Sequence, residues 1–260
     1  SETDRKRPVT HRLLSNSLVA VLVIAMVVPF IGGCASKAKT AGISPRQAEA
    51  QKRATSLFIE GKSAEARGNK DTALGLYLEA LQYDPRSDVI ALAIAKVSYE
   101  TGRMKTSLKF ARMAAGVNPT NTDAWRIIQY LYQREDDLPK AAEALETYIR
   151  LKRDAEFGDY LNLAQYYGAM GNKDKMRSLL IGRVNHPDAP TSEIEDAADF
   201  FKDIGFFDEA ESLYRRMVEK DPSNVDAWVK LGDLYSDMGR DEKALDTLKR
   251  SLERNPGDRD

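Results

Sequence analysis

Histidine and cysteine are nearly missing from this sequence, which has two His and one Cys in 260 residues. A lone thiol excludes a disulfide framework and any multi-cysteine zinc site. The imidazoles, His11 and His186, stand far apart in the chain, so neither a metal cluster nor a Ser-His-Asp arrangement can be built from them. No Gly-rich phosphate loop and no nucleophile motif accompanies them. The acidic run Glu135-Asp136-Asp137 reads as a solvated helix end rather than a catalytic pair. No enzyme activity, cofactor or metal site is expected. A strong net charge is missing too: the formal value is -1, so concentrated positive charge for nucleic acid is absent. What remains is 42% hydrophobic and 30% charged, enough to fold around a substantial core.

The N-terminus stands apart in charge and hydropathy. Residues 1–33 carry Arg5, Lys6, Arg7 and Arg12 against Glu2 and Asp4, a surplus of +2, which leaves -3 for residues 34–260. The apolar run at residues 18–31 follows; at 14 residues, interrupted by Pro29, it is short of the roughly 20 that cross a bilayer. A cleaved signal peptide over 1–33 fits better. Ile31-Gly32-Gly33-Cys34 resembles the lipobox of bacterial lipoproteins. The resemblance implies acylation of Cys34, the chain's one cysteine, and anchoring to a membrane through lipid. Ala35 stands where an Asp commonly retains such proteins at the inner membrane, so the periplasmic side of the outer membrane is the favoured location. Residues 34–44 are then a tether.

An internal period governs the rest. Gly68, Gly102, Gly171, Gly205 and Gly239, with Asp136 filling the gap, step by 34, 34, 35, 34 and 34 residues. Prolines echo the period at Pro85, Pro119, Pro222 and Pro256. The spacing predicts a helix, a turn on the glycine, and a second helix stopped near the proline. Trp228, Leu231, Gly232, Tyr235, Ala244, Leu248 and Pro256 resemble the signature of the tetratricopeptide repeat (TPR) family, and earlier segments match with substitutions. The third is the least regular, with Asp136 for glycine and Arg153 for proline. The resemblance implies an all-α fold, a right-handed α-solenoid over 45–260 with repeats at about 54–87, 88–121, 122–156, 157–190, 191–224 and 225–258. Gly61, Ala95, Ala164, Ala198 and Gly232 are expected to let paired helices close, and Tyr132, Tyr167, Phe201 and Tyr235 to fill the wedges between pairs. Ser44-Pro45-Arg46-Gln47 predicts an N-cap and a helix beginning near Pro45.

In TPR proteins the first helix of each repeat lines a concave groove, which implies a protein or peptide partner held there. The inward positions are Lys62, Lys96, Tyr99, Arg126, Tyr130 and Gln133 in the first three repeats, and Glu195, Asp199, Asp226 and Asp233 in the last two. A groove basic and aromatic at one end and acidic at the other is one expectation, with charge reversal at Lys96 and Arg126 weakening capture without melting the repeats. Such a split also arises by chance on the soluble side of amphipathic helices. Phe58 and Lys62 occupy positions where some TPR domains carry a carboxylate clamp, so that clamp is absent. Among TPR lipoproteins the sequence resembles the six-repeat pilotins of pilus and secretion systems. Two other readings stay open: a general periplasmic adaptor for cell-envelope enzymes, or the N-terminal part of a longer protein.

Overall fold

The computed structural model describes residues 44–254, which form twelve α-helices and, among the described residues, no strand. The expected signal peptide, Cys34 and all of the tether except Ser44 lie outside the described residues. The helices come in six antiparallel pairs: α1 (Pro45–Ala66) with α2 (Lys70–Tyr83), α3 (Asp88–Glu100) with α4 (Met104–Val117), α5 (Thr122–Arg134) with α6 (Leu138–Leu151), α7 (Phe157–Ala169) with α8 (Lys173–Val184), α9 (Thr191–Asp203) with α10 (Phe207–Lys220), and α11 (Val225–Asp237) with α12 (Asp241–Arg254). The all-α solenoid that the period predicts is what forms.

Local chemistry fixes the helix ends. Ser44 and Gln47 make a reciprocal capping box ahead of Pro45. The side chains of Ser87, Asn121 and Asn224 accept from the third amide of α3, α5 and α11. Within each pair the chain reverses through one left-handed residue. At Gly102, φ is 75°, its N–H donates to the Tyr99 carbonyl, and Arg103 N–H donates to that of Ser98. Asp136 copies this turn at φ 58°, with the same two bonds to Gln133 and Tyr132. A non-glycine residue there carries strain of about 1–2 kcal/mol, less for Asp than for most. Arg153 in place of proline changes little, since α6 still ends at Leu151 because Lys152 turns extended.

Packing follows from the small residues. Gly61 lets the Tyr77 ring lie where a Cβ would sit, only 2.4 Å from Tyr77 Cε1, and the Tyr77 hydroxyl donates to Glu65 at 2.5 Å. Tyr132, Tyr167, Phe201 and Tyr235 are buried between neighbouring pairs. The third repeat departs here as well, with Gln129 at the position that Ala95 and Ala164 hold in its neighbours. Gln129 is buried, and its Nε2 donates to the Tyr166 hydroxyl at 2.7 Å. Successive pairs are contiguous, so one core runs the length of the stack. First helices also meet directly, α3 with α5 and α7 with α9, with no comparable approach between second helices among the described residues. The stack therefore curves with its first helices on the inner side.

Candidate partner-binding groove

Six first helices build the inner face, and helical periodicity decides what each presents. Positions 4, 7, 8 and 11 of each repeat turn towards the core, except that position 7 of the first repeat is the exposed Glu60, leaving positions 2, 5, 9 and 12 on the surface. On α3 these are Val89, Leu92, Lys96 and Tyr99; on α5 they are Asp123, Arg126, Tyr130 and Gln133. Tyr99 and Tyr130 keep 41% and 49% of their surface exposed, and Val89, in the first turn of α3, is exposed as well. Large apolar groups at such positions contribute nothing to the core.

The cations behave differently from the expectation. Lys96 Nζ lies 2.5 Å from Asp123, and Arg126 donates to Asp159 at 2.7 Å with its guanidinium 3.8 Å from the Tyr148 ring centre. Lys62 pairs with Glu65 at 2.9 Å on its own helix. The expected basic half of the groove is thus a neutral half. The physical reason is register: the cation at position 9 or 5 of one first helix faces the carboxylate at position 2 or 3 of the next. Arg126 is also three-quarters buried and Asp159 is 8% exposed at the side chain, so this pair braces α5 against α7. Charge reversal at Arg126 would strand a buried carboxylate and loosen the repeats, contrary to the expectation that the fold would be untouched.

At the other end carboxylates outnumber cations, although two of the four expected groove positions, Glu195 and Asp199, are ion-paired. Helices α9 and α11 carry eight carboxylates against Lys202 and Lys230. Lys230 bridges Glu195 and Asp199, each at 2.8 Å. Burial works against the Lys230 charge, yet the hydrogen bonds to Asp199 and Glu195 prevail and raise its pKa. Asp199 also accepts from the Tyr214 hydroxyl. Partial burial raises the Asp196 pKa, and repulsion from Glu195 and Asp199 adds to the effect. Asp226 and Asp233 are exposed and have no ion-pair partner among the described residues.

Gln133 accepts from Gln129 Nε2 at 3.1 Å, part of a polar seam between α5 and α7 that sequence reasoning missed. Two acceptors in that seam, Gln129 Oε1 and Asp159 Oδ2, are buried without a partner among the described residues. Asp123, Asp159 and Lys230 were also missed as groove residues. The signal that finds them is the period itself, since Lys96 and Asp123 differ by one repeat less seven residues. Among the described residues no group of three or more His, Cys, Asp or Glu is arranged to hold a metal ion.

Comparison with known proteins follows the architecture. A family profile for the tetratricopeptide repeat matches residues 205–260. The TPR repeat-containing protein YpiA of Bacillus subtilis (strain 168) is 23% identical over 172 residues, 65% of this chain and 40% of YpiA. Human tetratricopeptide repeat protein 7B is 29% identical over 96 residues, 37% of this chain and 11% of that protein. The chain thus spans well under half the length of these relatives. Among solved structures, a tetratricopeptide repeat protein from Parabacteroides merdae ATCC 43184 is 14% identical, covers 78% of this chain and 80% of its own, and superposes with a TM-score of 0.52. YrrB, described as a TPR protein with an unusual peptide-binding site, is 18% identical, with 69% and 92% covered and a TM-score of 0.46. The period, the six helix pairs and the profile match together make the fold a TPR solenoid.

Proposed function

We propose that this chain is a protein-interaction scaffold that holds an extended peptide or a helix of a partner against its first-helix face. The observation that carries this reading is the pair Tyr99 and Tyr130, half-exposed on neighbouring first helices beside local charge pairs that cancel one another. The exposed part of each ring does no work in the fold, and an aromatic buried by a partner is the residue type that most often dominates binding, at about 2 kcal/mol or more. It acts by binding and not by catalysis. The lipobox at Cys34 supports a tether to the envelope, on the periplasmic side and by Ala35 at the outer membrane. Six repeats joined to a lipobox support a pilotin-like role in assembling a pilus or secretion machine.

Capture from detergent-solubilised envelope, using the intact chain, tests this. Tyr99→Ala/Tyr130→Ala should lose the partner while keeping its thermal midpoint, and Cys34→Ala should lose membrane association while keeping the partner. Recovery of a secretin or pilus component supports the pilotin role. Cell-wall enzymes instead move the reading to a periplasmic adaptor, and full capture by the double tyrosine variant removes the groove from it.

A further inference from the structure

The outer side of the stack carries a feature that neither the fold nor the inner groove uses. Helix α4 bears Lys105, Lys109 and Arg112 and, alone among the twelve helices described, no Asp or Glu. All three side chains are exposed, and none has an ion-pair or hydrogen-bond partner among the described residues. Beside Arg112 a notch of about 460 Å³ opens between α4, α5 and α6. Its walls are apolar, formed by Ala115, Trp125, Ile128, Tyr132 and Ala144, and Lys140 and Glu143 stand at its mouth. A second depression, about 500 Å³, continues from Arg112 along α4, with Leu108 and Met113 between the cations and Glu135 at its far edge.

The chain supplies its own control. A notch of about 360 Å³ recurs 103 residues on, where Trp228, Leu231, Tyr235, Lys243 and Asp246 replace Trp125, Ile128, Tyr132, Lys140 and Glu143. Its rim is different: Asp208, Glu211 and Ser212 stand where the first has Lys105, Leu108 and Lys109. Glu211 takes Arg215 at 3.6 Å and Arg240 at 3.3 Å, and accepts from the Tyr235 hydroxyl at 2.9 Å. Leu108 cannot do this for Arg112, the counterpart of Arg215, so that guanidinium is left free. The apolar wedge is a demand of the repeat, whereas the unpaired basic rim is not.

We propose that the α4 trough is a second binding site, taking an acidic partner segment that bears one aromatic or large aliphatic side chain. That side chain seats between Trp125 and Tyr132, and flanking carboxylates pair with Lys105, Lys109 and Arg112. The cations follow i, i+4, i+7 spacing along about 10 Å of helix, the reach of three to four extended residues. The notch is open on one side and roomy enough for an aromatic side chain with its flanking backbone, and Glu135 and Glu143 at the edges break the positive field that a continuous sheet of anionic headgroups would need. The site is separate from the first-helix face, so its failure leaves the groove reading intact.

The probe is a fluorescein-labelled Asp-Glu-Phe-Asp-Glu peptide titrated into the full chain, with Lys-Arg-Phe-Lys-Arg as its charge-reversed partner. The acidic peptide should bind with a Kd below about 1 mM that weakens with salt, and the basic one should not bind at this site. Lys105→Glu/Lys109→Glu should weaken binding by about tenfold or more with the thermal midpoint retained. Gly116→Leu should plug the notch, since a Cβ there meets nothing within 4 Å. Asp208→Lys/Glu211→Leu/Ser212→Lys, which also frees Arg215, should create a second site and raise the stoichiometry from one towards two. Equal binding of both peptides, indifference to the rim reversal, or capture by phosphatidylglycerol vesicles in place of peptide would each overturn the proposal.

Discussion

Gly61→Ala asks whether the first repeat depends on the absence of a single methyl group. The added Cβ would lie 2.4 Å from Tyr77 Cε1, 2.7 Å from Cδ1 and 3.1 Å from Cζ, so the ring must retreat by about an ångström. Tyr77 is fully buried, and forced repacking of this kind costs about 1–3 kcal/mol. Against that, alanine in a helix interior is favoured over glycine by about 0.8–1 kcal/mol. The single substitution should therefore destabilise by up to about 2 kcal/mol. In a Tyr77→Ala background the obstruction is gone, and the same change should stabilise by about 1 kcal/mol. The coupling energy from the four proteins is then about 1–3 kcal/mol. Urea unfolding followed by circular dichroism reads it, with hydrogen exchange in α1 and α2 confirming that the change is local. The chain already holds the compatible pair one repeat on, as Ala95 with Ala111. It also holds Ala198 with Tyr214, where the hydroxyl turns to Asp199 rather than to the counterpart of Glu65. Gly61→Ala/Lys62→Asp reproduces that arrangement and should recover stability. An equal effect of Gly61→Ala with Tyr77 in place and in the Tyr77→Ala background would refute the reasoning.

Further tests bear on the groove, the turn and acid stability. Arg126→Met should cost about 2–3 kcal/mol by stranding Asp159, whereas Lys96→Met, at an exposed pair, should stay within about 0.5 kcal/mol; urea midpoints distinguish them. Asp136→Gly should leave stability level or raise it by up to about 1 kcal/mol, while Asp136→Val should lower it by about 1–2 kcal/mol, read by thermal melts. Glu65 is held below its ordinary pKa: burial opposes this, but the hydrogen bonds from Tyr77 and Lys62 prevail. Its contribution is present above the unfolded value near 4.5 and is lost as pH falls through the folded one, so Glu65→Gln should flatten the acid limb of the stability profile. Asp196 is shifted up, so its ionisation opposes folding at neutral pH; Asp196→Asn should raise the urea midpoint at about pH 7 and do little well below pH 3.8.

The backbone was legible because its determinants are local and periodic. Five turn glycines and the Ser44 box are read directly from spacing, and even the irregular Asp136 falls into the left-handed turn that its place in the series requires. Exposure of Tyr99 and Tyr130 was legible for the same reason, being a matter of helical phase. Charge pairing was not. Whether Arg126 is a free groove cation or a brace depends on the side chain that the next first helix brings beside it, and Asp159 is 33 residues away in sequence. Gln129 at a small-residue position was likewise passed over, because its role depends on the Tyr166 hydroxyl opposite. The outer trough was hidden twice, since Lys105, Lys109 and Arg112 read as ordinary solvated charge until the second notch shows the same walls without them.

The two notches share one more detail. The indole N–H of Trp125 donates to the Pro119 carbonyl at 2.8 Å, and that of Trp228 to the Pro222 carbonyl at 3.0 Å. Each ring is therefore pinned to the junction that precedes its own repeat, one near the middle of the stack and one in its last pair, and these are the only two tryptophans in the sequence. Because a repeat array opens by neighbours and not all at once, the emission of each indole dates the opening of its own junction. With either ring replaced by phenylalanine, the other becomes a clock for fraying at one address, and the order in which the two clocks stop tells from which end the array comes apart.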